Sequence, residues 1–192
     1  PLSGTWWTFG IYLKNAPAGS IARIWNNIIY DFYNVDNTRG YGIENLSQVT
    51  DGGGIITSYV YNNTVYNCFN GISNSGGTSI AKNNISYNNF NNYDYTFDPS
   101  STNNLSGPGS DPQIPPTGAR NGVTVTFVDP TGSPRDLRLY PSDTGAINYG
   151  ANLSSDAYLA FSDDIEGQTR PAVPNTWDIG ADEVLVIVPP SA

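Results

Sequence analysis

The stretch WNNIIYDF at residues 25–32 returns in altered form as YNNTVYNC at 61–68 and as KNNISYNN at 82–89. Each copy has an Asn pair, then two residues that are mostly β-branched, then a Tyr. The pairs begin 36 and 21 residues apart. About 21 residues is enough for one turn of a β-solenoid, and the longer interval fits if two of its bends are extended. The repeat therefore predicts stacked turns of short strands.

The Asn pairs have a physical role in such a stack. A sharp bend between strands often needs one residue with positive φ, which Asn tolerates better than any residue except Gly. Equivalent residues of successive turns lie about 4.8 Å apart, close enough for amide side chains to hydrogen-bond along the axis. We therefore predict a structural ladder of six residues: Asn26, Asn27, Asn62, Asn63, Asn83 and Asn84.

The composition agrees with this interpretation. Charged residues are only 13% of the chain, and the polar character comes mainly from Asn, Ser, Thr, Gly and Tyr, which favours strands and turns over helices. We predict an all-β fold, a right-handed parallel β-helix of about four turns followed by an irregular, β-rich C-terminal end region. The handedness follows the general preference of parallel crossovers.

Two family resemblances extend this prediction. Over roughly residues 5–105 the repeat resembles the pectate-lyase-like superfamily of parallel β-helices. Further on, the segments DLRLYPSDTGAINYGA, DDIEGQTRP and DIGADE resemble the C-terminal end of the choice-of-anchor Q domain family, with Asn148 where that family usually has Asp. The resemblance implies an extracellular or cell-surface modular protein and no particular activity. It gives three parts: solenoid turns at 1–102, the C-terminal end region at 103–183, and an apolar strand with a Pro-rich tail at 184–192.

Charge excludes some classes of partner. The formal net charge is −9, with eight Lys and Arg residues in total, so the chain lacks the basic surface that nucleic acids and anionic membranes require. The longest apolar run, Val184 to Val188, is too short to span a bilayer.

Catalysis has few candidate residues. The chain has no His, which removes Ser-His-Asp and Cys-His arrangements and His-based metal sites. A polysaccharide lyase or hydrolase would have to use Lys14 or Lys82, with Asp31 and Glu44 on neighbouring turns. The alternative for Lys82 is a solvated surface residue, which is the interpretation we favour. For the single Cys68 we expect a small buried filler and no nucleophile.

Aromatic side chains offer a binding function. A flat row of rings suits the apolar face of a pyranose, and the repeat predicts such a row at Trp25, Tyr61, Tyr30, Tyr66 and Tyr87. The alternative is a stacked structural ladder. We expect Trp6 and Trp7 to close the open end of the solenoid.

Carboxylates are concentrated near the C-terminus. We predict no metal site, although calcium remains an alternative because it binds carboxylate oxygens. Two groups could hold it: Asp163, Asp164 and Glu166, or Asp178, Asp182 and Glu183. The spacing matches no EF-hand loop, which favours ordinary turn carboxylates. For Arg170 we expect an ion pair with Asp178 or Glu183.

The ends of a parallel β-helix expose unpaired backbone groups, which makes assembly a further possibility. The run Val184, Leu185, Val186, Ile187 and Val188 is apolar and stops at two prolines, as an added strand would. It could pair within its own chain or join a neighbouring copy head-to-tail. The favoured function is an extracellular structural or adhesive module, open to filament formation. The alternatives are part of a polysaccharide lyase or hydrolase, or a carbohydrate-binding module.

Overall fold

The computed structural model describes residues 6–34, 36–47, 53–172 and 176–184. Within these ranges the chain is all-β and contains no α-helix, as predicted. In the same ranges, no helix has the length and apolar character that crossing a bilayer requires.

Three parallel sheets run along the length of the stack, and among the described residues they contain four, three and five short strands. Sheet 1 contains β1 (Phe9–Leu13), β4 (Tyr41–Asn45), β7 (Asn70–Ser73) and β10 (Asn91–Asp94). Sheet 2 contains β2 (Ile21–Trp25), β5 (Thr57–Tyr61) and β8 (Thr78–Lys82). Sheet 3 contains β3 (Ile28–Tyr30), β6 (Thr64–Tyr66), β9 (Ile85–Tyr87), β11 (Leu105–Gly107) and β12 (Arg120–Asn121).

The register of these sheets is the one that the repeat predicts. In sheet 2, Ile24 pairs with Val60 and Val60 pairs with Ala81. The Tyr positions of the repeat are likewise register partners in sheet 3: Tyr30, Tyr66 and Tyr87. The alignment holds because a shift of one residue would move each apolar side chain from the interior to the surface.

The first Asn of each pair makes the bend between sheets 2 and 3. Asn26, Asn62 and Asn83 have φ angles of 51°, 49° and 54°. Asn103, at φ 54°, makes the same bend one turn later, and β11 follows it. The parallel stack thus continues past residue 102, where we had placed the end of the solenoid turns, and reaches β12.

The second Asn of each pair forms a continuous amide ladder. Nδ2 of Asn27 donates to Oδ1 of Asn63 at 2.9 Å, Asn63 to Asn84 at 3.0 Å, and Asn84 to Asn104 at 2.9 Å. Each accepting Oδ1 also receives the backbone N–H of the donor residue. Asn63, Asn84 and Asn104 have no exposed surface, so the ladder satisfies amides that would otherwise be costly to bury.

The interior of the stack is apolar. Its core includes Ile24, Val60, Ile43 and Ile72, and it also contains Cys68, which is 5% exposed. Burial raises the pKa of the Cys68 thiol to about 12, so the thiol is protonated at neutral pH, in keeping with the expected buried filler.

The C-terminal end region folds back along the outside of sheets 2 and 3. It contains two antiparallel pairs, β13 (Phe127–Asp129) with β14 (Asp136–Leu139), and β15 (Gly150–Ala151) with β16 (Thr176–Trp177). Phe127 packs edge-on against the rings of Tyr66 and Tyr87, with centroids 5.8 and 5.7 Å away. The two apolar clusters of the end region pack on sheets 2 and 3. Neither cluster covers the outward face of sheet 1.

Candidate functional site

The predicted aromatic row does not form one open platform. Tyr61 has no exposed surface, and Tyr66 and Tyr87 lie beneath Phe127. Trp25 is 41% exposed. It lies in sheet 2, next to the buried Tyr61, whereas Tyr66 and Tyr87 lie in sheet 3. Tyr30 packs against the same cluster as Phe127. Because Tyr61 is buried and Phe127 packs on Tyr66 and Tyr87, the five rings do not form one continuous surface.

Lys82 is not a solvated surface residue, contrary to the expectation. Its Nζ lies 2.7 Å from Oδ2 of Asp156, and only 17% of its side chain is exposed. The ammonium also lies over the ring of Tyr61, 5.2 Å from the centroid. The neighbours expected for a catalytic Lys82 lie elsewhere, since Asp31 pairs with Arg135 and Glu44 belongs to sheet 1. These contacts make Lys82 part of the packing between the solenoid and the end region.

Arg170 forms the predicted ion pair with Glu183, at 2.7 Å between Nη1 and Oε2. Both side chains are almost completely buried, at 0% and 2% exposed. The guanidinium also donates to the carbonyls of Asp163, Gly180 and Ala181. Arg170 therefore ties three segments of the end region together.

The first Asn of each pair attaches this region to the solenoid. Nδ2 of Asn62 donates to the carbonyls of Asp178 and Gly180. Asn83 bonds both the N–H and the carbonyl of Ala151, and its Nδ2 also donates to Asn62 at 3.1 Å. The prediction that the pairs form ladders thus separates into two roles: stacking by the second Asn and docking by the first.

The C-terminal carboxylates combine differently from either predicted group. Oxygens of Asp164, Glu166 and Asp182 lie within 4.8 Å of one another. Asp164 accepts the N–H groups of Glu166, Gln168 and Glu183, and Glu166 pairs with Arg138 at 2.9 Å. The oxygens of Asp164 and Glu166 thus already have hydrogen-bond donors within the chain, as expected for carboxylates in turns.

The predicted assembly segment lies mostly outside the described residues. Leu185, Val186, Ile187 and Val188 are not among them. Val184 is, and its N–H donates to Oδ2 of Asp178 at 2.8 Å while its side chain packs against the core of the end region. The first residue of the segment is therefore held within its own chain.

The outward face of sheet 1 carries a different set of side chains. Successive turns place aromatic residues and then amides at one register position: Phe9, Tyr41, Asn70 and Asn91. A neighbouring position carries Tyr12, Glu44, Ser73 and Asp94. The aromatic and acidic groups thus lie side by side near the N-terminal end of the stack.

The rings on this face stack almost parallel. Phe9 lies 4.0 Å from Tyr12 and 5.4 Å from Tyr41 between centroids, at interplanar angles of 11° and 10°. Trp7 adds to the stack at 5.4 Å from Tyr41. Trp7 is 49% exposed and Tyr12 is 38% exposed. Trp7 thus extends this aromatic face, and Trp6, which we also expected at the solenoid end, is 73% exposed.

Glu44 lies beside these rings and is only 2% exposed. Its Oε1 accepts a hydrogen bond from the hydroxyl of Ser75. Its Oε2 is buried without a hydrogen-bond partner, and so is the hydroxyl of its register neighbour Ser73. Burial raises the pKa of Glu44, and burial followed by the Glu44 charge raises the pKa of Tyr41 to about 12. Tyr41 therefore remains a neutral phenol at physiological pH.

These side chains line a cavity of about 480 Å³, which we call the sheet 1 cavity. Its wall consists of Trp7, Phe9, Tyr12, Lys14, Tyr41, Glu44, Leu46, Ser75 and Tyr95. Apolar rings with a few convergent polar groups are the usual lining of a small-ligand site. Two buried polar atoms without partners in or beside this wall are unusual, because buried polar groups are nearly always hydrogen-bonded.

Comparison with known proteins identifies no relative: no family model, curated protein or solved structure matches the chain.

Sequence reasoning missed the sheet 1 cavity although its parts were visible. Gly10-Ile11 and Gly42-Ile43 align as repeats, and this alignment places Phe9 against Tyr41 and Tyr12 against Glu44. Trp7 was assigned to the solenoid end because the stacking of its ring on Tyr41 depends on how the chain enters the first turn.

Proposed function

We propose that this chain is an extracellular adhesive β-helix module that binds a glycan in the sheet 1 cavity. The observation that carries the proposal is the partly exposed aromatic stack beside buried, unpartnered polar atoms of Glu44 and Ser73. Sugars present apolar C–H faces to rings and hydroxyl groups to polar side chains, so they match both parts of this lining. The extracellular location rests on the resemblance to the choice-of-anchor Q and pectate-lyase-like families.

The contacts of Lys82 argue against a lyase that uses this residue. A β-elimination needs a base that can remove a proton, and Lys82 is paired with Asp156 and does not line the sheet 1 cavity. Asp94, the second carboxylate on the sheet 1 face, accepts hydrogen bonds from Asn70 and Gln113. These contacts suit a surface that holds a ligand.

The test is titration calorimetry against a panel of oligosaccharides, with Trp7→Ala as the cavity variant. Trp25→Ala is the matched control, since Trp25 is similarly exposed at 41% but lies on sheet 2. We expect Trp7→Ala to weaken binding at least about tenfold, as loss of an aromatic contact does, and Trp25→Ala to bind normally. Loss of binding in Trp25→Ala alone would transfer the site to the originally predicted row. Absence of binding to every oligosaccharide would refute the proposal.

A second candidate function is self-assembly through the N-terminal end of the stack. Among the described residues, β1, β2 and β3 are edge strands, each paired on one side only. Ile21 of β2 is 55% exposed at this edge. Unpaired parallel edges with apolar side chains promote strand addition. We expect sedimentation velocity to detect oligomers that Ile21→Lys abolishes, and a strictly monomeric protein at high concentration would exclude this function.

A further inference from the structure

A second row of rings lies at the corner where the chain passes from sheet 3 to sheet 1. Phe69 lies in the bend between β6 and β7, and Phe90 lies at the same place one turn later, between β9 and β10. Their rings stack with centroids 4.8 Å apart at an interplanar angle of 6°. Phe90 is 76% exposed, the highest value among the large apolar side chains of the described residues. The end of this row is therefore open to solvent.

The stack of rings ends at Phe90. Within the described part of the chain, Phe90 contacts one ring, that of Phe69 in the preceding turn. The following turn brings residues 107–113 to this corner, and none of them is aromatic. Phe90 and these residues border a cavity of about 390 Å³, which is within the usual size of a small-ligand site. A flat ligand in this cavity would continue the stack on the face of Phe90 that Phe69 leaves uncovered.

Polar side chains lie beside the rings. The bend residues Asn67 and Asn88 have φ angles of 51° and 56°, and Nδ2 of Asn88 donates a long 3.4 Å bond to Oδ1 of Asn67. Asn88 is exposed, and so are Ser110 and Gln113 on the far wall of the cavity. Exposed amides and hydroxyls offer both donors and acceptors to the hydroxyl groups of a ligand. The cavity thus combines a bare ring face with polar groups around it.

A smaller cavity of about 310 Å³ adjoins this one. Asn88 and Phe90 line both cavities, and Tyr33, which is 43% exposed, lines the smaller one. We call the two cavities together the Phe90 site. Because the cavities meet at one exposed ring, the site has room for a ligand of more than one unit.

Charge in the Phe90 site is compensated. Asp111 is the only Asp, Glu, Lys or Arg among the described residues that line it. Asp111 is 7% exposed, its Oδ2 accepts the N–H of Tyr93, and its Oδ1 accepts the N–H of Gln113. A charged ligand would lose hydration here without gaining a partner of opposite charge. The lining therefore favours a neutral ligand.

We infer that the Phe90 site binds a neutral glycan, with one pyranose ring stacked on the uncovered face of Phe90. A pyranose has apolar C–H faces that pack on aromatic rings, and hydroxyl groups at its rim that would bond Asn88 and Ser110. No residue lines both this site and the sheet 1 cavity. The Phe90 site is thus a second glycan site, and its existence does not depend on the proposed function of the first.

Variants that lack the sheet 1 ring test this site by calorimetry. The oligosaccharide panel is titrated into Trp7→Ala, in which we expect weak residual binding, and into Trp7→Ala with Phe90→Ala. The second change should reduce the residual binding at least about tenfold, as loss of an aromatic contact does. Trp7→Ala with Tyr158→Ala is the control and should keep the residual binding. Tyr158 is 59% exposed and stacks on Tyr59 at 4.9 Å and 12°, but it lines neither cavity of the site.

The charge preference has a matched pair of ligands. Oligomers of β-1,4-linked glucose and glucuronic acid differ only at C6, and we expect Trp7→Ala to bind the neutral oligomer more tightly. Amide chemical shifts should then change at residues 88–92 and 107–113. Equal or tighter binding of the acidic oligomer, or shifts confined to other residues, would overturn the inference.

The outcomes separate the two sites. Absence of neutral oligosaccharide binding to Trp7→Ala, when the unaltered protein binds, would overturn the Phe90 site and leave the proposed function standing. Binding that Trp7→Ala leaves unchanged and Phe90→Ala abolishes would support the Phe90 site and refute glycan binding in the sheet 1 cavity. Absence of binding to the unaltered protein would refute both.

Discussion

Glu183 and Glu44 are buried to nearly the same degree, at 3% and 2% exposed, in two very different regions. Glu183 lies in the end region, where Arg170 and the N–H of Asp178 both bind its Oε2. Glu44 lies in the wall of the sheet 1 cavity, with Ser75 as the donor to Oε1 and a bare Oε2. The carboxyl of Glu183 is part of a hydrogen-bond network within the chain, whereas Oε2 of Glu44 accepts no hydrogen bond.

The difference extends to the surroundings of the two carboxyls. The end region docks on sheets 2 and 3 through buried amides, an ion pair and two apolar clusters. The sheet 1 face has exposed rings and a cavity. Buried groups that are fully satisfied stabilise a fold, whereas those left unsatisfied cost stability and are typical of sites that meet a ligand. The contacts of the end region thus lie on sheets 2 and 3, and the binding role that we propose for the sheet 1 cavity is confined to the sheet 1 face.

The largest expected effect is at the paired glutamate. Arg170→Met leaves Glu183 buried without its cation and should lower the free energy of unfolding by about 3–5 kcal/mol, measured by urea denaturation. Arg138→Met is the control, because the Arg138 side chain is 44% exposed and its ion pairs contribute roughly 0–1 kcal/mol. Similar losses in both variants would show that burial does not distinguish these ion pairs.

The second largest loss of stability is expected at the first Asn of each pair, which attaches the end region to the solenoid. Asn83→Gly retains a residue that tolerates the positive φ and removes the amide that bonds Ala151 and Asn62. We expect a loss of roughly 1–3 kcal/mol in thermal or urea unfolding. Asn88→Gly is matched to it, since Asn88 also has positive φ, is exposed, and donates one long 3.4 Å bond to Asn67. An equal loss at Asn88 would mean that backbone conformation, and not docking, sets the effect.

Asn74, a position outside the repeat, is not a neutral control for such a test. It is 8% exposed, its Nδ2 donates to the carbonyl of Thr96, and its Oδ1 accepts from Ser79. Replacing it should therefore also destabilise the fold.

The pH dependence of stability should show the cost of the buried carboxyls. Burial raises the pKa of Asp182 to about 6, against an unfolded value near 4. The folded state then binds protons more tightly than the unfolded state, so stability falls as pH rises through this range. We expect the free energy of unfolding to be roughly 1–3 kcal/mol lower at about pH 8 than at about pH 5.

Some carboxyls act in the opposite direction but at lower pH. Hydrogen bonds from Ser100 lower the pKa of Asp98, and bonds from Arg138 lower that of Asp136. Their contribution is lost only on acidification below about pH 4, so it does not oppose the trend above pH 5. Asp182→Asn should flatten the decline, and stability that rises between pH 5 and pH 8 would contradict the assignment.

The smallest expected effect on stability is that of Glu44→Gln, and it tests the comparison of Glu44 with Glu183 most directly. At pH 7, Glu44→Gln removes a carboxyl whose charged form is disfavoured by burial, and should raise the free energy of unfolding by roughly 0.5–1 kcal/mol. The gain should shrink as the pH falls below the unfolded pKa of about 4, because the carboxyl is then protonated in both states. Glu183→Gln should instead destabilise, because Arg170 loses its charged partner. A loss of stability in Glu44→Gln would mean that Glu44 supports the fold in the same way as Glu183.

The sequence predicted the parts of the fold that depend on the repeat. Tyr30, Tyr66 and Tyr87 align because each turn lies directly on the last and equivalent residues must meet. The pair Asn103-Asn104 escaped recognition because it is followed by LSGPG, in which Gly107 takes the place of the expected Tyr. The first turn could be aligned despite its longer interval, because the extra residues fall in two bends and leave the strands in register.

The sequence by itself determined the all-β class, the stacking register and the left-handed Asn bends. These follow from local backbone preferences and from alignment of neighbouring turns. Only the tertiary structure decided which rings are open and which charges are paired. Lys82 meets Asp156 across 74 residues, and the return of the end region buries Tyr61 while Trp7 remains exposed. Such contacts depend on where a distant segment folds back, and no periodicity within the repeat encodes that position.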